Sequence, residues 1–294
     1  MKVRFGVSLG SAGGPDQFAA EVDLLEQAGV DSLWLPEMVY SPLVEPFTGM
    51  AFALSRTRRL KAGSGISVLP GRHPVLVAKQ LASLAGLAPG RVLPVFGLRP
   101  ALAAERGLFP VPPGQRAAVF DEALALLREL LTSETVSFSG SFFTVDGASA
   151  RPLPAKPLDI WLAGSAPAGL RRAGRLGDGW LGSLMTPPEA AEAVRIINQA
   201  AAEAGREVDQ DHFGLSMSVA FGELPSTAAA AITARRPDAD PRALVADGWA
   251  DARRLISAYV DAGLSKFVVR QASPVMPLDE FVAGFASELM PLQT

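Results

Sequence analysis

Cysteine is absent from this 294-residue sequence, and histidine occurs only twice, at His73 and His212. The absence of cysteine excludes disulfide bonds, a thiolate nucleophile and metal sites with cysteine ligands. Two histidines so far apart in the chain form no recognisable metal-binding spacing. The sequence therefore predicts no metal site.

A strong charge of either sign is also missing, since the formal net charge is −3 and basic and acidic residues are interspersed. Without a basic stripe, the sequence predicts no nucleic-acid partner. No apolar run reaches the length of a membrane-spanning helix, and the amino-terminal segment alternates apolar with charged residues, unlike a signal peptide. We therefore expect a cytoplasmic protein without a membrane partner.

Hydrophobic residues make up 49% of the chain, which is enough to bury a sizeable core. Apolar segments with strand character alternate with helical ones, and the length permits a single domain over residues 1–294. Eight strands, each followed by a helix or its remnant, favour an α/β fold of the (β/α)₈ TIM-barrel type, although doubly wound sheets share the alternation. The predicted strands cover residues 3–9, 32–35, 62–68, 92–96, 159–163, 180–184, 213–221 and 266–270.

Two stretches interrupt the alternation. After the fourth strand, a helix over residues 115–131 is followed by the alternating segment 136–145, which we interpret as a β-hairpin. After the seventh strand, residues 224–248 are rich in alanine and proline, and we interpret them as a mobile lid or a disordered loop. The predicted fold is therefore a TIM barrel with insertions after strands 4 and 7.

The most distinctive segment of the chain runs from Arg59 to Pro100. Gly63 and Gly65 lie inside an otherwise buried strand, where glycine indicates a bulge, a close backbone approach or merely tight helix–strand packing. Pro74 suits the first position of a helix, so His73 is explained as the residue before that helix and Arg72 as a solvated side chain. His73 is nevertheless retained as a candidate catalytic residue.

Two charged residues follow predicted strands, at the end where barrel enzymes carry their active sites. Glu37 is a candidate catalytic carboxylate, and the alternatives are a solvated glutamate or a structural partner for an arginine. Arg99 is a candidate for binding an anionic group, or else for an ion pair with Glu37 or Glu105.

Several short motifs, in a consistent order along nearly the whole chain, are similar to those of the bacterial luciferase-like monooxygenase family. The resemblance includes the branch of that family that uses the deazaflavin coenzyme F420. The motifs include Gly63-Ser64-Gly65-Ile66, Arg72-His73-Pro74, Ala163-Gly164-Ser165, Gly177-Asp178-Gly179-Trp180 and Asp261-Ala262-Gly263.

The resemblance implies a barrel that binds F420, with FMN as the alternative cofactor. It further implies a non-proline cis peptide bond between Gly65 and Ile66 behind the flavin-type ring, and places the ribityl and phosphate groups near Gly164, Ser165 and Ser183. A helix start after Gly164 suits a phosphate, because unpaired backbone N–H groups point there. The cofactor-binding residues expected on this basis are Gly65, Ile66, Ser67, Gly97, Ala163, Gly164, Ser165 and Ser183.

The sequence departs from the family pattern in two places. F420 enzymes of this family often carry an Asp-His pair after the second strand, whereas this chain has Glu37-Met38, and methionine transfers no proton. The fourth strand of the family ends in glycines, whereas this chain has the bulky Phe96 before Gly97.

The first functional hypothesis is an F420-dependent oxidoreductase that transfers hydride between the cofactor and a small organic substrate, steered by Glu37 or Arg99. The second is an FMN-dependent monooxygenase that uses O₂ and a separate flavin reductase. A flavin-binding barrel without turnover and a barrel enzyme of unrelated chemistry complete the alternatives. A homodimer is expected from the habit of the family alone.

Overall fold

A computed structural model describes residues 1–10, 14–273 and 275–294 and contains a parallel barrel surrounded by helices. The glycine-rich segment after the first strand, residues 10–15, is predicted to be a loop, and its residues 11–13 lie outside the described residues. The barrel strands, numbered 1 to 8 in chain order, are Arg4–Ser8, Ser32–Leu35, Lys61–Ser64 with Ser67–Val68, Val92–Leu93 with Val95–Gly97, Trp161–Ala163, Gly179–Ser183, Phe213–Ala220 and Lys266–Gln271.

Strands 3 and 4 each consist of two segments, and this division closes the barrel. Lys61–Ser64 pairs with strand 2 and with Val92–Leu93. Ser67–Val68 pairs with Val95–Gly97, which pairs in turn with strand 5. The other neighbours follow in the order 5-6-7-8-1-2, all parallel, so the ring of pairings returns to strand 3. The predicted (β/α)₈ barrel is confirmed.

Apart from Ser226–Arg235, the helices lie where the apolar periodicity predicts them, and several begin with proline, which has no N–H group to leave unpaired at the first helical position. Proline opens the helices that start at residues 15, 46, 74, 167 and 187. The helices are Pro15–Gln27, Pro46–Arg56, Pro74–Leu87, Arg116–Thr132, Pro167–Leu176, Pro187–Glu203, Ser226–Arg235, Gly248–Asp261 and Leu278–Glu288.

The insertion after strand 4 has the predicted form. Val136–Ser139 and Thr144–Ala148 pair as an antiparallel hairpin. The carboxylate of Glu122, on the preceding helix, accepts hydrogen bonds of 2.7–2.8 Å from the backbone N–H groups of residues 141–143. The hairpin is therefore tied to the helix rather than standing alone.

The expectation of a disordered loop after strand 7 is wrong. The segment contains the helix Ser226–Arg235 and the strand Val245–Asp247, which pairs with the end of strand 7. A small apolar cluster and an ion pair hold this segment in place. In the ion pair, Arg236 lies 2.7 Å from Glu189. The few apolar residues of the segment were too widely spaced to show a helical period. Ile232, Leu244 and Val245 of this segment form the cluster together with Ala220 of strand 7.

The interior of the barrel is filled by two tryptophans, Trp34 and Trp161, which pack with Val95, Leu181 and Val268. Glycines on the neighbouring strands, directly beside the two tryptophans in the pairing register, make room for the indole rings. A Cβ atom at Gly63 would lie 2.8 Å from Trp34 Cε3, and one at Gly179 would lie 2.5 Å from Trp161 Cε2. The close approach indicated by Gly63 is therefore an approach of a side chain inside the barrel.

A charged cluster lies at the amino-terminal ends of the strands. Asp31 Oδ1 is 2.8 Å from Lys61 Nζ, and Asp31 Oδ2 accepts a hydrogen bond from Lys266 Nζ. Burial raises the pKa of Asp31, but the two ammonium groups outweigh it and hold that pKa at about 2. Because the folded pKa lies below the unfolded one, the stabilisation is complete above about pH 4 and is lost as the pH falls toward 2.

We expect Asp31→Ala to lower the free energy of unfolding by about 3–5 kcal/mol, because it leaves Lys266 buried without its counter-ion. Asp23→Ala, which breaks an exposed pair with Arg56, is the matched control and should change stability little. Urea unfolding at neutral pH measures the free energy of unfolding of both variants. Equal effects of the two substitutions would contradict this role of Asp31.

Candidate active site

The carboxyl ends of the strands form the open end of the barrel, here called the mouth, and the peptide bond Gly65–Ile66 lies there. This bond is cis, as the resemblance implies, and it separates the two segments of strand 3. Gly65 N–H donates to Leu35 O at 2.8 Å, and Ile66 O accepts from Glu37 N–H at 3.3 Å. Both residues are half-buried, so Ile66 presents apolar surface at the mouth.

Glu37 holds this segment in place from strand 2. Its side chain is only 2% exposed, its Oε2 accepts a 2.8 Å hydrogen bond from Val68 N–H, and its Oε1 accepts one from Arg72 Nη2. With its own N–H bonded to Ile66, Glu37 contacts the chain on both sides of Ser67. The alternative of a structural partner for an arginine is confirmed, and the steering of a substrate by Glu37 stays a prediction.

The charge state of Glu37 reflects two opposing effects. Burial raises the pKa of the carboxyl group, whereas the Val68 N–H group and Arg72 lower it, and burial dominates. The pKa of Glu37 therefore lies above its ordinary value, although both partners favour the charged form.

Arg72 does not point into solvent, so that part of the sequence interpretation is wrong. Its guanidinium group donates from Nε to Val68 O at 3.0 Å and lies over the rings of Phe47 and Phe109, at 5.9 and 5.5 Å from their centroids. The rings come from distant segments, which a local reading of the Arg72-His73-Pro74 motif does not reveal. The guanidinium group of Arg72 is therefore packed against two aromatic rings as well as paired with Glu37.

His73 serves as the N-cap of the helix Pro74–Leu87. Its Nδ1 accepts a hydrogen bond of 3.4 Å from Val75 N–H, and its ring meets that of Phe143 edge-on at 5.8 Å. The structural explanation of His73 as the residue that starts the helix is confirmed. A catalytic role of His73 stays a prediction.

Arg99 is exposed at the end of strand 4. The carboxylates considered as its partners bind elsewhere, since Glu37 pairs with Arg72 and the fully buried Glu105 accepts Tyr40 N–H at 2.8 Å. Among residues 1–10, 14–273 and 275–294, Arg99 forms no ion pair, so that alternative is wrong. Binding of an anionic group by Arg99 stays a prediction.

The bulk of Phe96 does not fill the mouth. Successive residues of a strand face opposite sides, so Val95 lies in the barrel interior while Phe96 is fully buried in the core between barrel and helices. Gly97 again faces inward, and a Cβ atom there would overlap Ile66 Cδ1. Gly97 therefore makes room for the side chain of Ile66.

Ser67 and the end of strand 5 complete the set predicted to bind a cofactor. Ser67 Oγ is buried and has no hydrogen-bond partner within the described part of the chain. Gly164 has a φ of 125°, which favours glycine, and its carbonyl oxygen accepts a 2.9 Å hydrogen bond from Trp180 Nε1. Gly164 and Ser165 are exposed and Ala163 is half-buried, so these residues are accessible at the mouth.

Two arginines at the mouth were missed by the sequence analysis. Arg235 Nη2 is 3.3 Å from Ser183 Oγ, and Arg270 Nε is 3.1 Å from Ser218 Oγ. Burial lowers the pKa of both guanidinium groups, and the charge of Arg235 lowers the pKa of Arg270 further. Both side chains are nevertheless accessible to solvent, as expected for groups inside a concave mouth.

Neither arginine has a carboxylate partner in the part of the chain that the structure describes. Two like charges at one end of the barrel, each without a counter-ion, attract an anion. Arg270 is the last residue of the predicted eighth strand, so the reasoning that selected Glu37 and Arg99 could have found it. Arg235 lay in the segment interpreted as disordered.

Within the described ranges, no group of three or more metal-ligating side chains is assembled. None of the helices described is both long and apolar enough to cross a membrane.

Comparison with known proteins gives consistent results. A family model described as luciferase-like monooxygenase matches residues 1–273. An F420-dependent glucose-6-phosphate dehydrogenase of Nakamurella multipartita is 28% identical over 232 residues, 74% of this chain and 68% of that protein. Other curated relatives are 33–34% identical, but the matches span only 52–57% of their own length.

Solved structures resemble the whole chain. An F420-dependent secondary alcohol dehydrogenase, in complex with an F420-acetone adduct, superposes with a TM-score of 0.84 at 20% identity, covering 100% of both chains. The oxygenating constituent of 3,6-diketocamphane monooxygenase from Pseudomonas putida, in complex with FMN, has a TM-score of 0.77 at 15% identity and covers 100% of this chain and 99% of the other. At these identities the likeness establishes a shared fold.

Proposed function

This chain belongs to the luciferase-like monooxygenase family, and we propose that it is an F420-dependent oxidoreductase that transfers hydride between the cofactor and a small organic substrate. The observation that carries the proposal is the pair Arg235 and Arg270 at the mouth of the barrel, two cations that have no carboxylate partner among the residues the structure describes. F420 carries a phosphate and several carboxylates, which such a pair suits. The names of an F420-dependent relative and of a structural neighbour support the same cofactor.

The residues at the mouth fit a cofactor with a flat ring and an anionic tail. Ile66 presents half-buried apolar surface for the ring, and Gly97 leaves the room that Ile66 needs. On the other side, Ser183 and Arg235 are joined by a hydrogen bond and would hold the phosphate together with Gly164 and Ser165. When bound, the deazaflavin ring of F420 would supply the hydride acceptor or donor.

The role of the protein in catalysis would then be to position the reactants and to supply electrostatic interactions. Glu37 and Arg72 hold the chain on both sides of Ser67 and so fix the surface that Ile66 offers. Because Glu37 is buried and paired and Met38 has no exchangeable proton, we assign proton transfer to neither residue. Arg99, exposed and without an ion pair in the described ranges, would attract an anionic substrate.

The direct test is a parallel titration of the purified protein with F420 and with FMN, each oxidised and reduced, followed by fluorescence and absorbance. Saturable binding of F420 with little or no binding of FMN is the expected result. Preference for reduced FMN would instead support an oxygen-using monooxygenase with a separate flavin reductase, the alternative that the FMN-bound neighbour favours. Binding of neither by the folded protein would contradict both. A homodimer and a cytoplasmic location stay predictions.

We expect Gly97→Val to weaken F420 binding by about tenfold or more, because the added side chain displaces Ile66. Gly107→Val is the matched control, since a Cβ atom at Gly107 meets nothing within 4 Å. Fluorescence titration gives the affinities, and thermal unfolding verifies that both variants fold. Unchanged binding by a folded Gly97→Val protein would show that Ile66 does not support the ring.

A further inference from the structure

A second cavity lies at the opposite end of the barrel from the mouth, and nothing in the proposed function uses it. It has a volume of about 170 Å³ and opens at the amino-terminal ends of the strands. We call it the basal cavity. Arg4, Lys61 and Lys266 begin strands 1, 3 and 8, and the residues of the barrel interior form the floor of the cavity.

The walls of the basal cavity are aromatic and aliphatic. Trp34 and Trp161 line it together with Leu93 and Val95. The Trp34 indole N–H group is already bonded to Ser32 Oγ at 2.9 Å, so Trp34 brings no free donor to the cavity. Flat apolar walls of this kind suit a planar ring.

The rim of the basal cavity is cationic. Lys2, Arg4, Lys61 and Lys266 line it, against one lining carboxylate, Asp211. Asp211 Oδ1 is already bonded to the backbone N–H of Lys2 at 2.6 Å. The lining side chains therefore carry more positive than negative charge.

The carboxylates nearby do not remove this excess. Asp31 is shared between Lys61 and Lys266, so one negative charge serves two ammonium groups. Asp159 lies 3.9 Å from the ring of His212, which also lines the cavity. Burial lowers the pKa of Lys266 to about 8 even though Asp31 lies against it, because that single carboxylate does not offset the desolvation.

We propose that the basal cavity is a second ligand site that binds a planar aromatic carboxylate of single-ring size. The ring lies against Trp34 and Trp161, and the carboxylate faces Lys61 and Lys266 at the rim. A cavity of about 150 Å³ lined by apolar groups is known to accept benzene, so the volume here suits one ring with a small substituent. The distance from the mouth makes this site independent of the cofactor.

The test is isothermal titration calorimetry with benzoate and with benzamide, which has the same shape but no charge. We expect saturable benzoate binding and at least about tenfold weaker benzamide binding, because only benzoate compensates the excess cations. Absence of saturable benzoate binding by the folded protein, or equal affinities for the two probes, would overturn the proposal.

Two variants of residues that line the cavity test whether benzoate binds there. Lys61→Met, which removes a rim cation, should weaken benzoate binding about tenfold, whereas Lys156→Met on the exposed surface should leave it unchanged. Leu93→Phe, which fills the cavity, should abolish the binding. Benzoate affinity that is unchanged in folded Lys61→Met would place the ligand elsewhere and refute the site, whether or not Leu93→Phe folds.

Discussion

Glu37→Ala is expected to lower the free energy of unfolding by about 3 kcal/mol and to weaken F420 binding by tenfold or more. The alanine leaves Arg72 without its carboxylate and leaves the buried N–H group of Val68 without an acceptor. Those two contacts hold the chain next to Ile66. Their loss should therefore lower the stability of the protein and also disturb the surface that binds the ring. Urea unfolding and F420 titration measure the two effects.

Glu37→Gln separates the loss of charge from the loss of shape. The amide oxygen can still accept from Val68, so we expect most of the cofactor affinity to remain. Because burial raises the pKa of Glu37 above its unfolded value, the native state loses stability relative to the unfolded state as the pH rises through that raised pKa. The stability difference between wild type and Glu37→Gln should therefore shift in favour of glutamine as the pH rises from about 4.5.

A surface pair provides the control for both variants. Glu134 is 74% exposed and pairs with Arg151, so Glu134→Ala should change neither stability nor affinity appreciably. If Glu37→Ala behaved like Glu134→Ala, the positioning role of Glu37 would be wrong.

The double substitution Arg235→Met with Arg270→Met is expected to weaken F420 binding by about a hundredfold, since each removes a charge-assisted contact worth about tenfold or more. The unfolding temperature should stay constant or rise, because the two charges disfavour each other and have no carboxylate partner in the described ranges. Weaker binding at undiminished stability is the signature of residues that serve a ligand rather than the fold. Fluorescence titration and thermal unfolding report the two quantities.

Arg236→Met is the matched control for this experiment. Arg236 directly follows Arg235 but pairs with Glu189 and Asp238, and these carboxylates raise its pKa. Its removal should lower stability and leave F420 affinity nearly unchanged. Unaltered affinity in the double variant would mean that the anionic tail lies elsewhere.

Local patterns in the sequence predict the secondary structure of the chain well. Apolar runs mark the strands, and proline marks helix starts such as Pro74 and Pro187, because these preferences depend only on neighbouring residues. Where the local signal was weak, the prediction failed. The helix Ser226–Arg235 was missed because its order comes from contacts with strand 7 and with Glu189 rather than from its own periodicity.

The sequence by itself determined the kind of fold, the end of each strand to within one residue, and the identity of several side chains at the mouth, including Glu37, Gly97 and Arg99. Only the tertiary structure decided what those side chains contact. Glu37 pairs with Arg72 rather than Arg99, and the residue before Gly97 turns away from the mouth.

The cation pair at the mouth and the basal cavity depend in the same way on the closed barrel. Arg235 meets Ser183 across 52 residues of chain, and the lining of the basal cavity reaches from Lys2 to Lys266. Closure and register bring these positions together, and neither is visible in a local pattern because each depends on every strand at once.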